Sequence, residues 1–250
     1  MAIIQARMGS TRLPGKVMRD IAGKPLLARV IERVSAIPGV ACVVIATTTA
    51  ERDRLLLDVA RDYGVEAYAG SENDVLDRYY QAARTFSATT IVRITADCPL
   101  LDPEVSHEVL RHYERSRADY VSNTNPPTYP DGLDTEVFSF NALERAWNEA
   151  RMTSEREHVT PYIWKRPDRF SVANVRNLRD LSALRWTVDE PEDLEFVRLV
   201  YAYLGRNGRI FGMDEVLGLL GEHPEIQVIN SGFVRNEGYA KSVREDRITK

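Results

Sequence analysis

The sequence predicts an α/β fold of three layers, in which helices cover both faces of a mainly parallel, mixed sheet. Three observations support it. Strand-like and helical segments alternate through the first half of the chain. The strand-like segments are apolar on consecutive positions, as in residues 40–47, which indicates burial on both faces as in a parallel sheet. Of the 250 residues, 44% are hydrophobic, which is enough for a sizeable core.

The first predicted helix shows the pattern best, because apolar side chains recur at helical spacing within residues 25–36. The predicted strands are 1–6, 40–47, 66–69, 90–94, 135–139, 169–174 and 184–187. The predicted helices are 25–36, 51–63, 74–86, 103–116, 141–150, a short one after 153, 191–204 and 213–220. Residues 120–139 include NTNPPTYPDGLD, and we expect a long loop there that leads into the strand at 135–139.

The overall charge argues against two classes of partner. A net charge of -4 does not favour binding to nucleic acid or to an anionic membrane. No segment has the length of apolar sequence needed for a membrane span, and the opening stretch is too short for a signal peptide. The two cysteines, Cys42 and Cys98, show no zinc-site spacing. We therefore expect a soluble, cytoplasmic protein.

Basic residues concentrate near the amino terminus, where residues 1–24 carry five Lys or Arg and one Asp. The stretch ARMGSTRLPGK, residues 6–16, almost matches a phosphate-binding P-loop. However, five residues separate its glycines, Pro14 removes an amide donor, and Val17 replaces the required Ser or Thr. The chemistry still favours phosphate, because three cations, two hydroxyls and two glycines follow the first strand, where open α/β sheets bind ligands. A solvated charged loop is the alternative.

Two aspartates follow later predicted strands. Asp97 comes after the strand at 90–94, and Asp189 comes after the strand at 184–187. Magnesium favours a few carboxylates together with phosphates and water, so two such residues at one sheet edge suit a nucleotide-bound ion. Each also has a structural interpretation: Asp189 as a helix N-cap before Pro191, and Asp97 as the start of a turn.

Three segments together resemble a known family. They are residues 6–16 with DIAGKPL at 20–26, VRITADCPL at 92–100, and WTVDEPEDL at 186–194. They resemble the signature of the CMP-sugar synthetases, which activate acidic sugars such as Kdo and sialic acid. The similarity is greater still to their spore-coat polysaccharide biosynthesis cytidylyltransferase-like relatives. Nucleotidyltransferases that use other bases usually have a double glycine and a longer gap before the Pro-Lys pair.

The resemblance implies a Rossmann-like nucleotide-diphospho-sugar transferase fold and a Mg²⁺-dependent transfer of CMP from CTP, with pyrophosphate released. It implies Arg12, Lys16 and Asp97 as catalytic residues and Asp97 with Asp189 as magnesium ligands. The implied nucleotide-binding residues are Ala6, Arg7, Gly9, Ser10, Arg12, Lys16, Ser71, Asn73, Thr95 and Asp97. Thr95 stands where the Kdo enzymes carry Gln.

The segments DGLDTE and EREHVT, typical of the spore-coat relatives, are expected to line the acceptor half of the cleft. The acceptor-binding residues predicted from them are Asp134, Glu136, Arg156 and His158. Each has a structural alternative: a solvent-facing strand edge for Asp134 and Glu136, a capped core histidine for His158, and a surface ion pair with Glu155 or Glu157 for Arg156.

By the same resemblance we expect one nucleotidyltransferase domain over residues 1–229, followed by a polar tail. Its parts are a nucleotide half at 1–118, an acceptor and dimerisation part at 119–180, and sheet completion with C-terminal helices at 181–229. The tail, 230–250, is expected to be loosely ordered or packed on a partner in a homodimer. Three alternatives stay open: a sugar-phosphate nucleotidyltransferase using UTP, GTP or dTTP, a non-catalytic nucleotide-binding regulator, and a glycosyltransferase, which would be expected to show a D-x-D motif.

Overall fold

The computed structural model describes residues 1–249, and for residue 207 the backbone alone. Seven strands form the main sheet and two short ones form a hairpin. The strands are β1 (Ala2–Gln5), β2 (Asp20–Ile21), β3 (Lys24–Pro25), β4 (Val43–Thr48), β5 (Glu66–Gly70), β6 (Thr90–Thr95), β7 (Tyr120–Ser122), β8 (Glu136–Ser139) and β9 (Val172–Asn174).

Helices connect most of these strands. They are α1 (Leu26–Ser35), α2 (Arg54–Asp62), α3 (Val75–Thr85), α4 (Pro103–Ser116), α5 (Phe140–Glu149), α6 (Thr153–His158), α7 (Pro161–Trp164), α8 (Pro191–Leu204), α9 (Met213–Glu222), α10 (Pro224–Val228) and α11 (Glu237–Arg244). Short 3-10 turns lie at Lys16–Met18, Glu51–Asp53 and Arg206–Gly208.

The main sheet has the order β5-β4-β1-β6-β8-β7-β9. Strands β5, β4, β1 and β6 are mutually parallel, and β8 runs antiparallel to both of its neighbours. The predicted mainly parallel, mixed sheet is therefore confirmed. The carboxyl ends of β1 and β6 lie side by side, since Gln5 is in register with Thr95.

The sheet separates two buried apolar clusters. Ile4 belongs to a cluster with helices α1, α2, α4 and α8, whereas Ile3 belongs to a cluster with α3 and α5. Adjacent side chains of one strand point to opposite faces, so both faces of β1 are buried. Two helical layers around one sheet give the predicted three-layer arrangement.

One strand prediction and one loop prediction are corrected. Residues 184–187 do not form a strand: their pairing is a single bridge from Arg185 to Asp131, because the chain there runs beside a loop and not beside a strand. In contrast, the first three residues of the predicted loop at 120–139 form β7, which pairs with β8 and β9. Strong turn residues further along the loop concealed this short strand.

The C-terminal segment also differs from the expectation of a loose or partner-bound tail. Residues 237–244 form α11, which packs against α6 of the same chain. Asp246 accepts hydrogen bonds from Thr153 Oγ1 at 2.9 Å and Ser154 Oγ at 2.7 Å, and the Thr249 amide donates to the Arg151 carbonyl at 2.6 Å. The segment is thereby tied to its own chain.

Within residues 1–249, no helix is both long enough and apolar enough to cross a membrane.

Candidate active site

The three predicted loops meet at Lys16. Its ammonium lies 2.9 Å from Asp97 Oδ2 and 2.8 Å from Asp189 Oδ1, and it also donates to the Val188 carbonyl at 2.8 Å. A single ammonium thus joins the loop after β1, the turn after β6 and the segment before α8. The convergence of these loops, on which the three-motif interpretation depends, is observed.

Charge is balanced tightly at this point. Burial alone would lower the pKa of Lys16, but the carboxylates of Asp97 and Asp189 outweigh that effect and raise the pKa. Burial alone would raise the pKa of Asp97, yet the Lys16 ammonium lowers it to about 2. Lys16 and Asp97 are therefore both charged at neutral pH.

The first loop is held by its apolar residues. Leu13 and Val17 are buried in the core, and the Met8 amide donates to Asp53 Oδ1 at 2.7 Å. Gly15 adopts a left-handed conformation, φ 66°, directly before the 3-10 turn that begins at Lys16. Glycine tolerates this φ without a steric cost, and the turn points Lys16 towards the sheet edge.

Arg12 occupies the rim of the site. Its guanidinium lies 3.0 Å from Asp189, 3.0 Å from Glu190 and 3.7 Å from Glu237 of α11. The cap interpretation of Asp189 is not supported, because Glu190 is the N-cap of α8. Asp193, inside the helix, accepts hydrogen bonds from the Asp189 and Glu190 amides at 2.9 Å each. The Asp189 carboxylate is consequently free to face Lys16.

A first cavity of about 790 Å³ opens over these charges. Most of the predicted nucleotide residues and both predicted metal ligands line it: Ala6, Arg7, Gly9, Ser10, Arg12, Lys16, Thr95, Asp97 and Asp189. Residues from α11 complete the wall. The volume accommodates a ligand of nucleotide size.

Ser71 and Asn73 were predicted to surround the nucleotide base, and the structure does not bring them to either cavity. The Ser71 hydroxyl accepts from the Asp74 amide at 3.1 Å, and its carbonyl accepts from Arg78 at 2.6 Å. Asp74 then caps α3 through the Asp77 amide. This segment therefore serves to start a helix.

A second cavity, of about 610 Å³, shares Arg12, Thr95, Asp97 and Asp189 with the first. Three of the predicted acceptor residues line it: Asp134, Glu136 and His158. The site thus has two chambers that meet at the Asp97 and Asp189 carboxylates. Such a pair of chambers can hold two substrates with their reacting groups together.

Glu136 is buried on β8 and is fully paired. It accepts from Arg93, from the Tyr120 hydroxyl at 2.6 Å and from the Thr160 hydroxyl at 2.5 Å. The alternative of a solvent-facing strand edge does not hold for Glu136, which is 6% exposed. Its partners were not predicted, because each comes from a different segment.

His158 ends α6 and contacts α11. Its Nε2 lies 3.0 Å from Ser242 Oγ, and its ring meets Tyr239 edge to face at 5.0 Å. Burial lowers the pKa of His158, which the nearby Glu157 only partly offsets. The imidazole is therefore mainly neutral at pH 7.

Arg156 is the predicted acceptor residue that the structure places elsewhere. Its guanidinium donates to Asp74 Oδ2 at 2.9 and 2.6 Å and to the Trp147 carbonyl at 2.7 Å. It lines neither cavity. The structural alternative, an ion pair with Glu155 or Glu157, is not observed either, because Arg156 pairs with Asp74 and so joins α6 to the start of α3.

Sequence reasoning missed the two arginines that pair with the DGLDTE acids lining the acceptor chamber. Arg185 binds Asp193 at 2.8 Å and lies 3.5 Å from Asp131, while Arg235 pairs with Asp134 and donates to the Tyr129 carbonyl at 2.9 Å. Burial, together with Asp134, raises the pKa of Asp131 to about 7. The DGLDTE segment indicated the two acids, but no sequence pattern indicated which arginines would pair with them.

Comparison with known proteins identifies the family. The cytidylyltransferase family model matches residues 1–206. The chain belongs to the cytidylyltransferase family. It is accordingly a nucleotidyltransferase, as the three motifs predicted.

Individual relatives agree with this assignment. The spore coat polysaccharide biosynthesis protein SpsF of Bacillus subtilis is 32% identical over 89% of this chain and 94% of its own. A solved cytidylyltransferase structure from Leptospira borgpetersenii has a TM-score of 0.86 at 32% identity, covering 94% of this chain and 98% of that one, which confirms the fold. The 3-deoxy-manno-octulosonate cytidylyltransferase of Trichlorobacter lovleyi is 36% identical over 45% of this chain and 44% of its own.

Proposed function

We propose that this cytidylyltransferase transfers CMP from CTP to a small acceptor in a Mg²⁺-dependent reaction that releases pyrophosphate. The observation that supports this most is the meeting of two chambers at the Asp97, Lys16 and Asp189 charges. A nucleotide in the larger chamber and an acceptor in the smaller one would place the α-phosphorus and the attacking oxygen at the same point.

The donor set at this point suits magnesium. Asp97 and Asp189 direct carboxylate oxygens at one cation, the Lys16 ammonium, so they can share a second cation brought by the nucleotide. Among residues 1–249 no cluster of three or more such ligands occurs, which fits an ion that takes its remaining ligands from phosphates and water. When bound there, magnesium neutralises phosphate charge and lowers the pKa of the attacking hydroxyl.

The side chains around it have separate tasks in this proposal. Lys16 stays protonated, since its pKa is raised, and it neutralises the phosphates as the pyrophosphate leaves. Arg12, at the rim, adds a second positive charge. The Gly9 and Ser10 backbone allows close approach of the nucleotide.

The acceptor that we propose is an acidic sugar or a related small acid for surface polysaccharide. SpsF, which matches most of the chain, is named for spore coat polysaccharide biosynthesis, and the Kdo cytidylyltransferase acts on an acidic sugar. The second relative, however, matches less than half of this chain.

The charge of the acceptor chamber favours a second candidate. Seven acidic side chains and three arginines line it, and each arginine is paired with an acid. A carboxylate on the acceptor would have to displace one of these acids from its arginine. An amino group on the acceptor could instead pair with several of the acidic side chains. An amino-bearing sugar is therefore the second candidate acceptor.

Ligand binding and turnover test the proposal together. Thermal shift with CTP, UTP, GTP, dTTP and ATP plus Mg²⁺ should show stabilisation selective for CTP, and pyrophosphate release should then appear with acceptors matched in size but bearing a carboxylate, a hydroxyl or an amine. Selectivity for another nucleotide would favour the sugar-phosphate nucleotidyltransferase alternative. CTP binding without turnover on any acceptor would favour the regulatory alternative.

A homodimer in the cytoplasm stays a prediction. Light scattering on the purified chain measures the oligomeric state, and fractionation of the source cell measures the location.

A further inference from the structure

Helix α11 is fixed at both ends across the first cavity. Before it, Arg235 pairs with Asp134 and donates to the Tyr129 carbonyl at 2.9 Å. After it, Asp246 accepts from the Ser154 amide at 2.9 Å and from its hydroxyl at 2.7 Å. Two anchors, each on a different part of the fold, make the segment a roof over the cavity.

One face of helix α11 packs against α6, and the other faces the first cavity. Tyr239 and Ser242 face α6, where they meet His158. Glu237, Lys241 and Arg244 line the first cavity. Their spacing of four and three residues places them on one stripe of the helix. The stripe that faces the cavity is therefore mainly basic.

The walls of the first cavity carry six basic and three acidic side chains. Three of the basic residues form ion pairs. Arg12 pairs with Asp189 and nearby acids, and Lys16 pairs with Asp97 and Asp189. Arg235 pairs with Asp134. Among residues 1–249 no acidic side chain pairs with the other three, which are Arg7, Lys241 and Arg244. Arg7 comes from the first loop, and the other two come from the roof.

Unpaired cations on different walls of one cavity suit a ligand with several negative charges. We propose that Lys241 and Arg244 bind the β- and γ-phosphates of the nucleoside triphosphate, so that the C-terminal helix completes the nucleotide site. This inference rests on the proposed function, since it takes the first cavity as the CTP site. It concerns residues beyond 206, where the match to the family model ends.

The alternative is that these side chains are only a solvated face of the helix. Both residues are exposed, which fits either case. The two cases differ in which binding affinities they change. A solvated face would affect the affinity for CTP and CMP alike, whereas contacts to the β- and γ-phosphates would affect the affinity for CTP and leave that for CMP unchanged.

The test compares CTP and CMP binding by calorimetry in the full chain. In K241Q/R244Q we expect the Kd for CTP to rise by about tenfold, with the Kd for CMP unchanged, because each exposed charge contact contributes a modest factor. The rise should shrink at high salt. R179Q/R247Q is the matched control, because it removes two positive charges from exposed residues outside both cavities. Thermal melts of both variants verify the fold.

The outcomes separate the two proposals. If wild-type protein binds CTP and K241Q/R244Q binds it equally well, the role of the roof is wrong and the nucleotide site stands. An equal loss for CTP and CMP would also overturn the phosphate contacts, because it would show a general effect on the cavity. If wild-type protein binds no CTP while it is folded, the proposed function itself fails.

Discussion

The Lys16 ammonium lies 2.9 Å from the Asp97 carboxylate, although the two residues are 81 positions apart in the chain. Asp189, which lies in the third motif, contacts the same ammonium at 2.8 Å. The proposed chemistry depends on this contact, because it is where the two chambers meet.

The first prediction concerns turnover. Lys16→Ala and Asp97→Ala should each lower kcat by about 100-fold or more, because each removes a preorganised charge from the point where phosphate charge develops. Pyrophosphate release measures the effect, and circular dichroism verifies that the variants fold. Arg179→Gln, an exposed change outside both cavities, should keep wild-type turnover. Wild-type kcat in either site variant would show that the assignment is wrong.

The second prediction concerns magnesium without nucleotide. In Lys16→Met the carboxylates of Asp97 and Asp189 lose their shared ammonium, so a divalent ion can take its place. Mg²⁺ should therefore raise the Tm of this variant by about 3 °C or more and leave wild-type protein almost unchanged. Differential scanning calorimetry with and without EDTA measures both. If Mg²⁺ leaves the Tm of Lys16→Met unchanged, the two-carboxylate metal site is contradicted.

Local patterns predicted the parallel half of the sheet and the convergence of three loops. Both depend on short-range signals: apolar runs such as 40–47, and motifs that directly follow strands. The pairing of Arg235 with Asp134 was not predictable in this way, because the two residues are 101 positions apart and either could pair with many others. The same holds for α11, whose position is fixed by contacts at its two ends.

Residues 184–187 show a different kind of failure. Their apolar pattern resembles that of a strand, and Trp186 is indeed buried. A strand, however, also needs a neighbouring strand, and this segment has the loop at Asp131 beside it. The apolar pattern therefore predicts burial correctly, but it does not predict which segment of the chain lies alongside.

The third prediction concerns Glu136, whose carboxylate pairs with Arg93 in the sheet and also accepts from Tyr120 and Thr160. Glu136→Gln should lower the free energy of unfolding by about 3 kcal/mol, since it leaves a buried arginine without its counter-charge. Urea denaturation measures this. Glu114→Gln, on the exposed side of α4, should change stability by less than about 0.5 kcal/mol. Equal stabilities would mean that the pair is solvated.

The fourth prediction concerns Gly132, which has φ 108°. A Cβ there would lie 2.7 Å from the Thr187 amide nitrogen, so the loop would have to move away from the segment that leads to Asp189. Gly132→Ala should cost about 2 kcal/mol or more of stability and lower kcat as well. Gly218→Ala in α9, where a Cβ meets nothing within 4 Å, should be neutral or stabilising. Equal melts for the two variants would contradict this contact.

The fifth prediction is a pH dependence of stability that originates at His158. Burial lowers its pKa below the usual value of 6.5, with Glu157, Glu136 and Asp246 opposing and Arg93 assisting. The unfolded chain therefore binds more protons than the folded one at pH values below about 6.5, so this residue lowers stability as the pH falls through that range. Above pH 7 both states are neutral and the contribution vanishes.

His158→Gln removes that titration and retains a polar group that can meet Ser242. Urea denaturation at pH 7.5 and 5.5 should show a smaller loss of stability in the variant than in wild-type protein, because other titrating groups act equally in both. His112→Gln is a matched control, because this histidine is exposed on α4 and is not buried in the folded chain, so its removal should leave the pH dependence as it is. If His158→Gln and wild-type protein lose the same stability between these pH values, the imidazole is solvated and its neutral state does not come from burial.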